Sequence, residues 1–198
     1  LCLSMMGFAS AEENSFLRHS ARTLRWEDFR GEVPNPKPNL MNSKTSTAVR
    51  YTYRYRTLQR KNRIYLEVTE VKVFAVFDHN TSWVHGKVNQ RLLDHEQGHF
   101  DNAQIAAHRA QKKFDELLSD NRKKIRVSGT SDLKVMNLRE AELDKILLPF
   151  LRTLNEEDIR YDQVTNHSRR LDAQADERKN HARLLKELAT ERTGQSPE

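Results

Sequence analysis

Cysteine, glycine, proline and long apolar runs are all scarce in this chain. One cysteine, Cys2, among 198 residues excludes an internal disulfide framework and any cysteine-rich zinc module. Six glycines and five prolines exclude collagen-like and low-complexity character. No apolar stretch approaches the roughly 20 residues needed to cross a bilayer, and the mean hydropathy is −0.85, so no membrane span is expected. Charge is plentiful: 34 Lys and Arg stand against 28 Asp and Glu, a net +6. Both signs are interspersed along the chain, which reads as a solvated surface, and no nucleic-acid partner is expected. The length suits one domain with its own core.

Residues 1–11, LCLSMMGFASA, form a short apolar run ending in Ala9-Ser10-Ala11. That is the small-x-small pattern of a signal-peptidase site. The expected organisation is a signal-peptide remnant over 1–11, a single domain over 12–190 and a flexible tail over 191–198. Secretion or a periplasmic location follows from the same run. Leu24-Arg25-Trp26 reads as a short strand, and Pro34, Pro36 and Pro38 hold the next segment extended. Tyr51, Tyr53 and Tyr55 alternate with polar residues, and a Val-rich run follows from Ile64 to Phe77. This period of two predicts an antiparallel hairpin over 48–77, with a bulge near Thr69-Glu70 where the apolar parity switches. Beyond Asn80 the period becomes helical. The pattern predicts a long helix over 84–118, a basic loop over 119–132, a helix over 133–154 kinked or restarted at Pro149, and a third over 156–190. The fold class expected is α+β, a small antiparallel sheet packed on the long helix with further helices behind it.

The long helix carries Leu92-Leu93-Asp94-His95-Glu96-Gln97-Gly98-His99-Phe100-Asp101, an H-E-x-x-H pattern. Residues four apart lie on one helix face, one turn apart, so two imidazoles can meet one zinc ion (Zn2+). The carboxylate between them can take a proton from a zinc-activated water. Glu96 and His99 fall on the apolar stripe, where ionisable groups cost free energy unless something pairs them. His95 and His99 are therefore candidate ligands and Glu96 the candidate general base. A third histidine six residues past His99 is absent, because position 105 is Ile. Glu140 on the next helix and His167 on the third are nearly equal candidates for the third ligand, with Asp162 also open. Tyr161 is a candidate for polarising a carbonyl, or a packed aromatic with its hydroxyl at the surface. The tyrosine row 51/53/55 is either the wall of a peptide cleft or one face of a half-exposed sheet. His19, His79, His85, His108 and His181 lie in polar surroundings and receive no role.

Four segments occur in order: Leu24-Arg25-Trp26-Glu27-Asp28-Phe29-Arg30-Gly31, Ser82-Trp83-Val84, the H-E-Q-G-H-F-D run from His95 to Asp101, and Tyr161-Asp162-Gln163-Val164-Thr165-Asn166-His167. Together they resemble a bacterial domain family of unknown function whose members are predicted to be secreted zinc-dependent proteases with a zincin-like domain. The resemblance covers roughly residues 23–175, and Ser168 stands where that family carries Gly. It implies His167 as third zinc ligand beside His95 and His99. It implies Glu96 as general base and a peptide or protein as substrate, hydrolysed through a zinc-activated water. A zinc-binding cell-envelope interaction protein without turnover is the alternative expectation.

Overall fold

The computed structural model describes residues 15–35 and 43–193. The expected signal remnant, Pro36, Pro38 and the last five residues of the tail lie outside that range. The chain is α+β, and the described part of 191–198 continues the last helix. Strands β1 (Phe16–Arg18), β3 (Thr47–Arg60), β4 (Arg63–Asp78) and β6 (Arg126–Gly129) form one sheet. A two-stranded ladder pairs β2 (Ser43–Lys44) with β5 (Trp83–Val84). Helices α1 (Gln90–Ser119), α2 (Asp132–Thr165) and α3 (Leu171–Thr193) complete the fold.

The long hairpin β3–β4 is antiparallel throughout and turns at Lys61-Asn62. Its register slips where Arg54 pairs Glu70 and Tyr55 pairs Val68, which leaves Thr69 as the extra residue of a bulge at the expected place. Beyond it Leu66 and Val68 face the core, as do Val71, Val73, Ala75 and Phe77 on the other parity. Strands β1 and β6 pair opposite ends of the other edge of β4. The gap between them is closed by side chains of α1. Gln111 accepts from Val73 N–H at 2.7 Å and donates to the Val71 carbonyl at 2.9 Å, while Gln104 accepts from Ala75 N–H at 3.4 Å. A buried strand edge is thereby satisfied without another strand.

Helix α1 starts at Gln90, later than the expected 84, because Trp83-Val84 pairs as a strand and Asn89 caps the helix by accepting from Leu92 N–H at 2.9 Å. Its faces pack on β4 and on both other helices through Phe100, Ala103, Ala106, Ala107, Ala110 and Phe114. Leu24-Arg25-Trp26 is no strand: Trp26–Asp28 is a 3-10 turn. The basic loop 119–132 contains β6. Helix α2 passes through Pro149 unbroken and ends only at Thr165. The break between the last two helices is a turn in which Asn166, His167 and Ser168 all take left-handed φ values of 47°, 49° and 69°.

Candidate metal centre

Helices α1 and α2 run antiparallel, so the first half of α1 lies against the last turns of α2. There Asp162 Oδ1 sits 3.0 Å from His95 Nε2 and 3.2 Å from His99 Nε2. Donors bonded at about 2.0–2.1 Å to one tetrahedral ion lie about 3.3 Å apart, so the spacing of Asp162 from both imidazoles matches a shared ion. One donor atom from each of these three residues lies within 4.8 Å of the others. Two imidazole nitrogens and a carboxylate oxygen are a zinc-compatible set.

Each imidazole is held from behind. Asp158 Oδ1 lies 3.0 Å from His99 Nδ1 and accepts from Asn102 at 3.0 Å. Thr165 Oγ1 lies 3.3 Å from His95 Nδ1 and donates to the Tyr161 carbonyl at 2.7 Å. Such outer contacts fix ring orientation at metal sites. Burial opposes charge on His99, but hydrogen bonds to Asp158 and Asp162 outweigh it and push its pKa up to about 10; a metal ion binding there would have to displace that proton. Asp162 is opposed by its own burial, yet hydrogen bonds from His95 and His99 hold its carboxyl far below the usual range.

Glu96 is 4% exposed. Both its oxygens accept hydroxyl protons, from Ser43 at 2.6 Å and Thr45 at 2.6 Å. Ser43 stands in β2, which is tied to Trp83-Val84. That strand follows a loop pinned by Gly31, whose N–H donates to the Ser82 carbonyl at 2.7 Å. A Cβ on Gly31 would press on the carbonyls of Asn80 and Ser82 at 2.8 Å. Within the 3-10 turn leading to Gly31, buried Asp28 binds Arg22 through two bonds of 2.6 and 2.7 Å and accepts from Arg25 N–H at 2.7 Å. Gln97 accepts from Leu24 N–H at 2.8 Å, and Asp101 receives Gln97 and His19 at 2.7 Å each. The four sequence segments thus converge on one centre.

The remaining candidates separate. His167 Nδ1 lies 3.2 Å from Asp162 Oδ1, but its side chain is 65% exposed and it stands outside the compact donor group, on the left-handed turn past α2. Asp162 is the third member of that compact group. Glu140 pairs with Arg139 at 3.0 Å and lies 22 residues before Asp162 on α2, about 33 Å along the axis. Tyr161 is fully buried and stacks on the His95 ring at 4.9 Å, and its hydroxyl has no partner among the described residues. Its hydroxyl does not reach the surface. The tyrosine row packs under α2, with Arg139 over Tyr53 at 4.3 Å and Tyr51 donating to Asp144 at 2.8 Å.

Sequence reasoning missed several residues. Asp158 carried no motif signal except its place four residues before Asp162. Ser43 and Thr45 had none. His79 and His181 are buried rather than solvated: His79 Nδ1 meets the Asp28 carbonyl at 2.9 Å, and His181 is 1% exposed.

No protein-family model, curated protein or solved structure gives a match to this chain. The functional reading therefore rests on the motif and on this geometry.

Proposed function

We propose that the chain is a zinc-dependent peptidase of zincin type, acting outside the cytoplasm. The observation that carries this is the convergence of His95 Nε2 and His99 Nε2 on Asp162 Oδ1 at 3.0 and 3.2 Å, with Glu96 buried beside them on the same helix. His95, His99 and Asp162 hold the ion, and His167 steadies Asp162 from the solvent side. Bound there, zinc supplies Lewis acidity to a substrate carbonyl and to an attacking water. Glu96 moves the proton, taking it from that water and returning it to the leaving amine. The hydroxyls of Ser43 and Thr45 orient its carboxylate and must yield one oxygen for that transfer. The H-E-Q-G-H-F-D and Y-D-x-x-T-x-H elements support the family reading, and the apolar start supports export.

Glu96→Gln separates the roles. It is expected to keep zinc while abolishing cleavage of a peptide library that the wild type cuts. A Glu96→Gln variant as active as wild type would overturn the mechanism. The second reading is a zinc-binding cell-envelope protein without turnover. It is favoured by one observation, that both Glu96 oxygens are already engaged. Full zinc with no cleavage, in wild type and in Ser43→Ala/Thr45→Ala alike, would select it.

A further inference from the structure

We infer that the free end of the β3–β4 hairpin is a docking surface for an anionic lipid bilayer. Strand register assembles it. On the sheet face turned away from the helices, one row pairs Arg56 with Glu67 and Arg126, the next pairs Leu58 with Tyr65 and Ser128, and the last pairs Arg60 with Arg63. Lys61 occupies the turn between the strands. Glu67 is the acid among these rows, and it is already engaged by Arg56 at 2.8 Å and Arg126 at 2.8 Å. Arg60, Lys61 and Arg63 make no ion pair among the described residues. The basic run Arg122-Lys123-Lys124 enters β6 at its other end, past Glu67, and is engaged by Asp120 and Glu67. Interspersed in sequence, the cations are concentrated in space.

The centre of this face is apolar and uncovered. Leu58 is 51% exposed and its cross-strand partner Tyr65 is 42% exposed, in an open groove of about 680 Å³. An aliphatic–aromatic pair ringed by guanidinium groups suits the bilayer interface. Tyr sits at headgroup depth, Leu enters the acyl boundary, and Arg side chains reach phosphates. Single-stranded nucleic acid prefers successive aromatic rings, and here a leucine takes the second place. The metal centre lies near the other end of the sheet. Thirteen residue steps along β3 separate Thr47 from Arg60, roughly 40 Å of strand, so docking at the hairpin end leaves that centre distant from the lipid. This inference stands independently of zinc binding.

The test is flotation of the full chain with vesicles of phosphatidylcholine alone and of equal parts phosphatidylcholine and phosphatidylglycerol. Binding to the anionic vesicles only is expected, weakened by added salt. Arg60→Glu/Arg63→Glu is expected to reduce it at least about tenfold, and Leu58→Ser/Tyr65→Ser to reduce what survives at high salt. Unchanged thermal unfolding of the variants shows that the fold is intact. Absence of anionic-vesicle binding, or binding indifferent to the charge reversal, overturns the proposal. So does tighter binding to a single-stranded oligonucleotide through the same arginines.

Discussion

At the residue scale, the centre depends on one close approach. A Cβ built on Gly98 would collide with the ring and hydroxyl of Tyr161, whose ring lies nearly parallel to His95 at 13°. Gly98→Ala is therefore expected to cost about 1–3 kcal/mol and to weaken zinc affinity, because the ring it displaces backs a ligand. Thermal unfolding with a zinc-competition titration checks both. Removing the Tyr161 hydroxyl should do neither. That oxygen has no hydrogen-bond partner among the described residues, and a buried unpaired hydroxyl carries a desolvation cost that its removal recovers. Tyr161→Phe is expected to be at least as stable as wild type, by up to about 1–3 kcal/mol, with zinc content and cleavage unchanged. A large loss of turnover with zinc retained would instead make Tyr161 a catalytic residue. The pair His95/His99 was legible in the sequence because i,i+4 spacing is local to one helix. The third donor stayed open among Glu140, His167 and Asp162, because it depends on how α2 is phased against α1 across a sequence separation of 63 from His99 to Asp162.

At the scale of elements, α1 joins the sheet to the centre. Its Gln111 closes the uncovered edge of β4 with two bonds in a buried setting. Gln111→Ala leaves Val71 C=O and Val73 N–H without those partners, at an expected cost of about 2–4 kcal/mol. Faster amide exchange at Val73 is the accompanying signature, and unchanged exchange there would contradict the account. The sheet, its bulge and α1 could be read from periodicity, since each pattern is long and local. The boundary of α2 was misplaced for a physical reason. The expected end at Leu154 fell eleven residues short, because the polar run Asn155-Glu156-Glu157 reads as a break while the helix continues to Thr165. The real stop, Asn166 to Ser168, uses three non-glycine residues in left-handed conformations, of which Asn166 alone is a residue that favours that conformation. That turn holds His167 at the rim, while Asp162, one helical turn earlier, faces the histidines.

For the whole molecule, acid should loosen the link between the N-terminal segment and the centre. Asp28 is 1% exposed. Burial opposes its ionisation, but bonds from Arg22 and the Arg25 N–H prevail and keep its carboxyl below the ordinary value. A folded-state pKa below the unfolded value of about 3.9 stabilises fully above that value and is lost as pH falls through the folded one. The wild type should lose stability on acidification below about pH 4, and Asp28→Asn should be less stable at neutral pH with a flatter acid dependence. Melting temperatures across pH 2–7 read this out, and parallel curves for both proteins would refute it. Charge distribution is also a property of the whole fold. The sequence shows alternating signs, and only the pairing of β3, β4 and β6 collects the arginines at one end.

The central claim is that His95, His99 and Asp162 bind one zinc ion. Elemental analysis of the purified chain tests it directly, beside His95→Ala, Asp162→Ala and His167→Ala. The account predicts about one zinc per chain, lost in the first two variants and retained in the third. Loss with His167→Ala but not Asp162→Ala would return the third place to His167. Wild-type protein that takes up no zinc on reconstitution would contradict the metal centre altogether.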